Sequence, residues 1–71
     1  MSEKYCSIQI NGEPFHCYKQ MSIQALLTYL NIDIEINLIE YNNEILYQHQ
    51  LKSIMLKEED KLEIITVVGG G

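Results

Sequence analysis

The dipeptide Asn11-Gly12 lies between two short runs of alternating apolar and polar residues. Asn and Gly tolerate the positive φ angles of a two-residue hairpin turn, so the pattern predicts two antiparallel strands. The first strand covers Tyr5–Ile10, and the return strand runs through Phe15–Tyr18. The turn length sets Ile10 opposite Glu13, Ile8 opposite Phe15 and Cys6 opposite Cys17. We therefore expect one inner face made of Cys6, Ile8, Phe15 and Cys17.

A helix is predicted after this hairpin. The hydroxyl of Ser22 can cap its first turn, and Met21 before it can pack onto Leu26. Apolar residues then recur at helical spacing and form one stripe: Ile23, Leu26, Leu27 and Leu30. The stripe must be covered, and the predicted sheet is the element large enough to cover it. Asn31 is the predicted end of the helix.

The rest of the chain predicts more short strands. In order, we expect a connector over residues 32–36, a strand near Asn37–Tyr41, a turn at Asn42-Asn43, a strand over Glu44–Tyr47, a loop with a helical turn over Gln48–Leu56, and a last strand over Leu62–Val68. This order is that of an α+β, β-grasp fold, a mixed sheet of four to five strands packed across one helix. We predict a single domain over residues 1–68 and a flexible glycine tail over residues 69–71.

Size and charge limit what the chain can do. A length of 71 residues suffices for one small domain and leaves little room for an enclosed active site. The 46% hydrophobic and 21% charged residues are typical of a soluble globular protein, and no apolar run approaches the ~20 residues of a membrane span. The net charge of −5 and the lack of Arg argue against a nucleic-acid partner.

The N-terminal residues indicate where the protein works. Met1–Tyr5 lacks the basic start and apolar core of a secretory signal, and it is too short and too acidic for a transit peptide. Ile is abundant and Ala nearly absent, a bias that suggests an AT-rich genome. We expect the protein to act where it is made, in the cytoplasm or, if organelle-encoded, in the plastid stroma.

Cysteine, histidine and acidic residues give no convincing catalytic or metal site. Cys6 and Cys17 lack the spacing of a metal or redox motif, so we predict two reduced core thiols. His16 points away from the face that holds Cys17, and His49 has no second ligand at metal spacing. We predict a solvated turn at Glu58-Glu59-Asp60, because nothing nearby in sequence would desolvate these carboxylates.

Three glycines close the sequence: Gly69, Gly70 and Gly71. Gly loses the most backbone entropy on ordering, so these residues do not strengthen the strand before them. Extended, they reach on the order of 10 Å, and without Cβ atoms they can pass through a narrow channel. The carboxylate of Gly71 is an anion and a poor electrophile, but adenylation by ATP would open it to a sulfur nucleophile such as a persulfide.

The last strand also predicts a docking surface. Its alternation separates Leu62, Ile64 and Thr66 from Glu63, Ile65 and Val67, and only one set can face the helix. The set that contains Glu63 should face outward. Ile65 and Val67 would then be exposed apolar side chains beside the tail, which predicts partner docking. The alternative is that loops cover both side chains.

Three stretches resemble the ThiS family of thiamine biosynthesis, sulfur carriers of the ubiquitin-like β-grasp superfamily. They are Ile8–Gly12, Ile39–Ile45 and Asp60–Gly71, and the resemblance extends over nearly the whole chain. It implies a carrier that is not itself an enzyme and binds no cofactor or metal. An E1-like enzyme would consume ATP to adenylate Gly71, a donor such as a cysteine desulfurase would supply the sulfur of a thiocarboxylate, and thiazole synthase would take it. Gly71 would be the thioglycine, with Gly69 and Gly70 threading the tail.

Other roles of the same fold are alternatives. The small subunit of molybdopterin synthase commonly has Pro-Pro before its tail, whereas Thr66-Val67 stands in that place here. Carriers for tRNA thiolation share the same chemistry. A ubiquitin-like modifier would instead form isopeptide bonds to lysines, and a plain interaction module would not need its tail.

Overall fold

The computed structural model describes residues 4–67 of the chain. Over this range it contains five strands, one α-helix and one short 3-10 helix. In order they are β1 (Tyr5–Ile10), β2 (Glu13–Tyr18), α1 (Ile23–Tyr29), β3 (Asn37–Tyr41), β4 (Glu44–Leu46), the 3-10 helix (Gln48–Gln50) and β5 (Lys61–Thr66). The strands form one sheet in the order β2-β1-β5-β3-β4, in which β1 and β5 are parallel. The mixed sheet and the helix confirm the predicted α+β, β-grasp fold.

The opening hairpin has the predicted turn and register. Asn11 and Gly12 both have positive φ, 51° and 81°, as a two-residue hairpin turn requires. Cys6 pairs with Cys17, and Ile8 pairs with Phe15. All four of these side chains are buried or half-buried, so the predicted inner face is confirmed.

The backbone N–H groups at the start of α1 donate hydrogen bonds to acceptors from two segments of the chain. The Ser22 hydroxyl accepts a hydrogen bond from the Ala25 N–H at 3.0 Å, as predicted for a cap. The N–H groups of Ile23 and Gln24 donate to the carbonyl oxygens of Ile54 and Leu51 at 3.0 and 2.9 Å. The loop after β4 therefore supplies acceptors that the first turn of a helix cannot find within itself.

The last helical residue of α1 is Tyr29, and Asn31, the predicted end, is the residue that stops the helix. Asn31 has a φ of 59°, its N–H donates to the Thr28 carbonyl at 3.1 Å, and the N–H of Ile32 donates to the Leu27 carbonyl at 2.9 Å. These two bonds make a Schellman motif, in which a left-handed residue stops the helix and satisfies its last carbonyls.

The core lies between the sheet and α1. Its buried members are Cys6, Ile8, Cys17, Ile23, Leu26, Leu27, Ile39, Leu51, Leu56 and Leu62. Three residues of the predicted helical stripe are among them, and Leu30 packs against the cluster from its edge. Leu51 and Leu56 come from the loop after β4, so this loop covers part of the core as well as capping the helix.

Two strands have boundaries that differ from the prediction. β4 ends at Leu46, because the N–H of Tyr47 donates to the Gln50 side chain at 2.8 Å and begins the 3-10 helix instead. β5 begins at Lys61 and ends at Thr66. Val68, and with it the predicted boundary between residues 1–68 and the glycine tail, lies outside the described residues.

Candidate functional site

β5 leads into the glycine tail, and it occupies the centre of the sheet. On one side it pairs in parallel with β1, and on the other it pairs antiparallel with β3 over five residue pairs, from Asn37 with Thr66 to Tyr41 with Leu62. Leu62 is fully buried. The segment that carries the tail is therefore held on both edges and from the core side. Gly69, Gly70 and Gly71 lie outside the described residues, so their assignment stays a prediction.

Two hairpin-turn asparagines also bind β5. The side-chain oxygen of Asn11, in the β1–β2 turn, accepts a hydrogen bond from the Ile64 N–H at 2.7 Å. The side-chain oxygen of Asn42, in the β3–β4 turn, accepts one from the Lys61 N–H at 2.8 Å. The Asn11 amide also donates to the Ile64 carbonyl at 3.4 Å. Each asparagine side chain thus adds hydrogen bonds to β5 beyond the end of its own strand. The sequence pattern predicts only turns for these two residues, because their partners are distant along the chain.

The point where the chain leaves β5 is fixed by further polar contacts. The Thr66 hydroxyl donates to the side-chain oxygen of Asn37 at 2.8 Å, and the Asn37 amide donates to the Asp33 carbonyl at 2.7 Å. The N–H of Val67 donates to the Ile36 carbonyl at 2.7 Å. The last described residue is therefore still bonded to the neighbouring segment.

Exposed apolar side chains cover the sheet beside this exit. Ile39 and Leu62 face the core, so Leu38 and Ile65, which pair directly, face the opposite side. Ile36 and Val67 lie beside them on the same side. These four residues, 49%, 42%, 44% and 46% exposed for Ile36, Leu38, Ile65 and Val67, form the outer-face patch. The predicted exposure of Ile65 and Val67 is confirmed, and their docking role stays a prediction.

An acidic pair borders the outer-face patch. Glu40 and Glu63 are directly opposite each other on β3 and β5, and Ile45 of β4, which is exposed, lies opposite Glu40. Like charges placed opposite each other on a sheet destabilise it, so this pair does not serve the stability of the fold. Together with the net charge of −5, the pair makes this border of the patch acidic.

The prediction of a solvated turn at Glu58-Glu59-Asp60 is wrong for Asp60, whereas Glu58 and Glu59 are exposed. The Asp60 side chain is only 3% exposed. It accepts hydrogen bonds from the Tyr41 hydroxyl at 2.8 Å, the Lys57 N–H at 2.9 Å, the Lys57 ammonium at 3.0 Å and the Asn42 amide at 3.2 Å. Burial alone would raise the pKa of Asp60, but these four bonds outweigh it and hold the pKa below its usual value. Asp60 therefore joins the turn before β5 to the β3–β4 hairpin.

The other chemistry-bearing residues lie away from the exit. His16 is exposed on β2, as predicted, and His49 is exposed in the 3-10 helix. Cys6 and Cys17 are buried free thiols, also as predicted. Within residues 4–67, no group of three or more His, Cys, Asp or Glu side chains could hold a metal ion. The one α-helix of the same range is too short to cross a membrane.

The alternation of the last strand predicts Ile65 and Val67 of the outer-face patch, but the sequence pattern does not predict Ile36 and Leu38. The apolar residues at 32, 34, 36 and 38 share one alternation, which would place all four on one face. A turn breaks that alternation: the Glu35 N–H donates to the Asp33 carboxylate at 2.8 Å, and the Ile36 N–H donates to the Asp33 carbonyl at 3.3 Å. Ile32 and Ile34 consequently pack against the core, while Ile36 and Leu38 turn outward.

Similar proteins fall into two groups. Over the full length of both chains, the sequence is 48% identical to ycf40 of Porphyra purpurea. It is also 36% identical to the thiazole synthase of Paramagnetospirillum magneticum, in a match that covers 87% of this chain and 19% of the synthase. The match to the thiazole synthase of Magnetococcus marinus is 28% identical and covers 90% of this chain and 20% of the synthase. The chain thus corresponds to about a fifth of each synthase.

A solved structure and a family model agree with the fold. The thiamine biosynthesis protein (ThiS) from Geobacter metallireducens superposes with a TM-score of 0.80 at 25% identity, over 92% of this chain and 99% of that one. The ThiS family model matches residues 8–71, from β1 through the last glycine. A match over nearly the whole chain establishes that this protein belongs to the ThiS family.

Proposed function

We propose that this protein is a sulfur carrier of thiamine biosynthesis and that the C-terminal carboxylate of Gly71 carries the sulfur. Membership in the ThiS family supports the carrier role. The observation that carries the proposal is the family match through Gly71, in a chain whose tail follows the central strand of the sheet. A small carrier of this kind supplies the reacting group, while its partners supply the catalytic machinery.

The chemistry of the cycle follows from the carboxylate. Its oxygen attacks the α-phosphorus of ATP, and pyrophosphate leaves. The sulfur of a donor persulfide, formed for example by a cysteine desulfurase, then attacks the acyl adenylate, and AMP leaves. A thiol finally cleaves the S–S bond of the acyl disulfide and leaves a thiocarboxylate on Gly71. An E1-like adenylating enzyme would provide the first step.

The sulfur acceptor we propose is thiazole synthase. Two bacterial proteins with that name contain a segment similar to this chain, which covers 19% and 20% of their lengths. A carrier domain within the same polypeptide as a synthase supports the idea that the two act on each other.

The outer-face patch is the surface we propose for docking on the adenylating enzyme. It lies on the side of the sheet away from α1 and directly beside the exit of the chain from β5. A partner that binds there would receive the tail within the ~10 Å reach of three extended residues. The apolar centre would supply affinity, and the acidic pair of Glu40 and Glu63 would orient the encounter with a basic rim.

A plastid setting fits this role. Relatives from Porphyra purpurea, Pyropia yezoensis and Trieres chinensis carry ycf40 names, which suggest a plastid genome. The weak compositional sign of an AT-rich genome agrees with it. We propose the plastid stroma as the place of action.

Intact mass spectrometry tests the proposed chemistry. The protein is incubated with ATP, an E1-like enzyme of the pathway, a cysteine desulfurase and cysteine, and we expect a gain equal to one oxygen replaced by sulfur. The variant that lacks Gly71 is the matched control: it should keep its circular dichroism spectrum and gain no sulfur. Unchanged mass of the intact chain with every such enzyme would contradict the proposal.

Rescue experiments distinguish the acceptors. Expression in a strain without its own thiamine sulfur carrier should restore growth without thiamine. Expression in a strain without the small subunit of molybdopterin synthase should not restore molybdoenzyme activity. The reverse result would favour the molybdopterin role, and recovery of the tagged protein as higher-mass lysine conjugates would favour a modifier.

A further inference from the structure

Two free cysteines face each other in the opening hairpin. Cys6 on β1 is directly opposite Cys17 on β2, and their side chains are 3% and 4% exposed. Their Sγ atoms are 3.4 Å apart, so the sulfurs are in contact. The proposed sulfur-carrier cycle uses neither residue.

The backbone around the pair fits a covalent link. Directly opposed residues in an antiparallel pair have Cα atoms about 4.5 to 5.5 Å apart, within the range of about 4.4 to 6.8 Å found for disulfides. The pairing is fixed on both sides, by the Asn11-Gly12 turn and by the Lys19 N–H, which donates to the Lys4 carbonyl at 2.7 Å. Bond formation requires the sulfurs to approach by just over 1 Å, which side-chain rotation can supply.

Other roles for the pair are less compatible with its surroundings. Burial, together with the contact with Cys6, raises the pKa of the Cys17 thiol to about 12. A sulfur in this state is a thiol at neutral pH, whereas a metal ligand must remain a thiolate. Disulfide exchange needs the thiolate only transiently, so the raised pKa slows the exchange but does not prevent it. A metal site would also need further ligands, and residues 4–67 offer no such group.

We propose that Cys6 and Cys17 form a reversible intrachain disulfide by exchange with a low-molecular-weight disulfide. Cys17 borders a partly open cavity of about 230 Å³ between β2 and α1, also lined by Phe15 and Met21, through which a small molecule can approach. The Cys17 sulfur displaces one small thiol and forms a mixed disulfide. The Cys6 sulfur then attacks the Cys17 sulfur, and the second small thiol leaves.

The exchange is balanced. Two S–H bonds of the protein break, one S–S bond forms, and the two protons pass to the two released thiols. The protein sulfurs are oxidised, while the small disulfide is reduced. Because both cysteines are on the inner face, the link ties β2 to β1 and leaves the outer-face patch and the contacts of β5 in place.

The test is a redox titration of the folded chain. The protein is equilibrated without oxygen at graded ratios of 2-hydroxyethyl disulfide to 2-mercaptoethanol, quenched with acid and weighed intact. We expect a monomer lighter by two hydrogen atoms, restored by excess thiol. The same titration in urea provides the reference for the unfolded chain. The folded chain should cross-link at a disulfide-to-thiol ratio that is lower by a factor of roughly ten or more, because the fold holds the two sulfurs together.

Single variants control for other thiol chemistry. Cys6→Ser and Cys17→Ser should give mixed disulfides at most and never the loss of two hydrogen atoms. The comparison of the folded with the urea-unfolded wild-type chain tests the proposal even if these variants fold poorly. The proposal is overturned if the folded chain cross-links only at the ratio that the unfolded chain needs or at a higher one, or if it yields mixed disulfides or linked dimers instead.

Discussion

Asp60 is a buried carboxylate at the meeting point of three segments. The turn that begins at Lys57 and the β3–β4 hairpin both donate hydrogen bonds to its two oxygens, and β5 begins at the next residue. Oδ2 accepts from the Tyr41 hydroxyl and the Lys57 N–H, and Oδ1 accepts from the Lys57 ammonium and the Asn42 amide. Every partner is a donor, so the site requires an ionised carboxylate rather than any other group of this size.

The substitution Asp60→Asn should lower the free energy of unfolding by about 2–3 kcal/mol. The new amide group would point a donor at two other donors in a buried place. Urea denaturation measures the change. Glu59→Gln is the control, since it makes the same carboxylate-to-amide change at an exposed position of the same turn and should alter stability by less than about 0.5 kcal/mol. Equal effects of the two variants would contradict the role of Asp60.

The lowered pKa of Asp60 also leads to a prediction of how the free energy of unfolding depends on pH. Its pKa is lower in the folded chain than in the unfolded one, so its contribution is complete above the unfolded pKa, near 4, and is lost as the pH falls through the folded pKa. The free energy of unfolding should fall on acidification below about pH 4, and less steeply in Asp60→Asn. Urea titrations of both proteins measure this, and parallel curves would show that Asp60 titrates alike in both states.

The sequence could not reveal this carboxylate. Asp60 follows Glu58 and Glu59 in a charged turn, and local composition favours exposure of all three. Two of its partners, Tyr41 and Asn42, are 19 and 18 residues away along the chain. The buried position exists only once β3 and β5 pair.

At the scale of elements, β5 depends on side chains outside its own ladder. Asn11→Gly should keep the turn, because Gly adopts positive φ readily, but remove the acceptor for the Ile64 N–H. We expect a loss of about 1 kcal/mol and faster hydrogen exchange of the Ile64 amide. Asn43→Gly is the matched control in the β3–β4 turn, where φ is 75°. An unchanged Ile64 exchange rate in Asn11→Gly would contradict the prediction.

Most elements could be predicted from local patterns, and the exceptions have a common cause. The β1–β2 register, the Ser22 cap and the stop at Asn31 each depend on contacts within a short stretch of chain. The outward position of Leu38 depends on the turn at Asp33, which resets an alternation that appears continuous in the sequence. In the tail, the assignment of Gly71 rests on three glycines that directly follow the last strand of a predicted β-grasp order, and its chemistry stays a prediction.

At the scale of the whole molecule, the two faces of the sheet have different tasks. α1 and the loop after β4 cover the inner face, while the outer face presents exposed apolar residues on β3, β4 and β5. The division leaves a buried core on one side of the sheet and, on the other, the surface that we propose for docking. It also allows substitutions on the outer face to separate binding from folding.

Leu38→Asp should impair adenylation without unfolding the protein. An added charge at the centre of the outer-face patch is expected to raise the KM of the adenylating enzyme for the carrier roughly tenfold or more, with a smaller change in kcat. Tyr29→Asp is the control, since this residue is 71% exposed on α1, away from the patch. Adenylation kinetics and thermal denaturation together provide the measurement. Equal KM values for both variants would indicate docking elsewhere.

The central position of β5 has a mechanical consequence. A pull on the chain beyond Val67 acts along the β5 axis and therefore roughly across the hydrogen bonds to β1 and β3. Such a load stretches both ladders in shear, so many bonds share the force at once instead of opening one after another. The sheet should consequently resist a force applied at its C-terminal end, which is the kind of force that the proposed partner would apply when it draws the tail into a cleft.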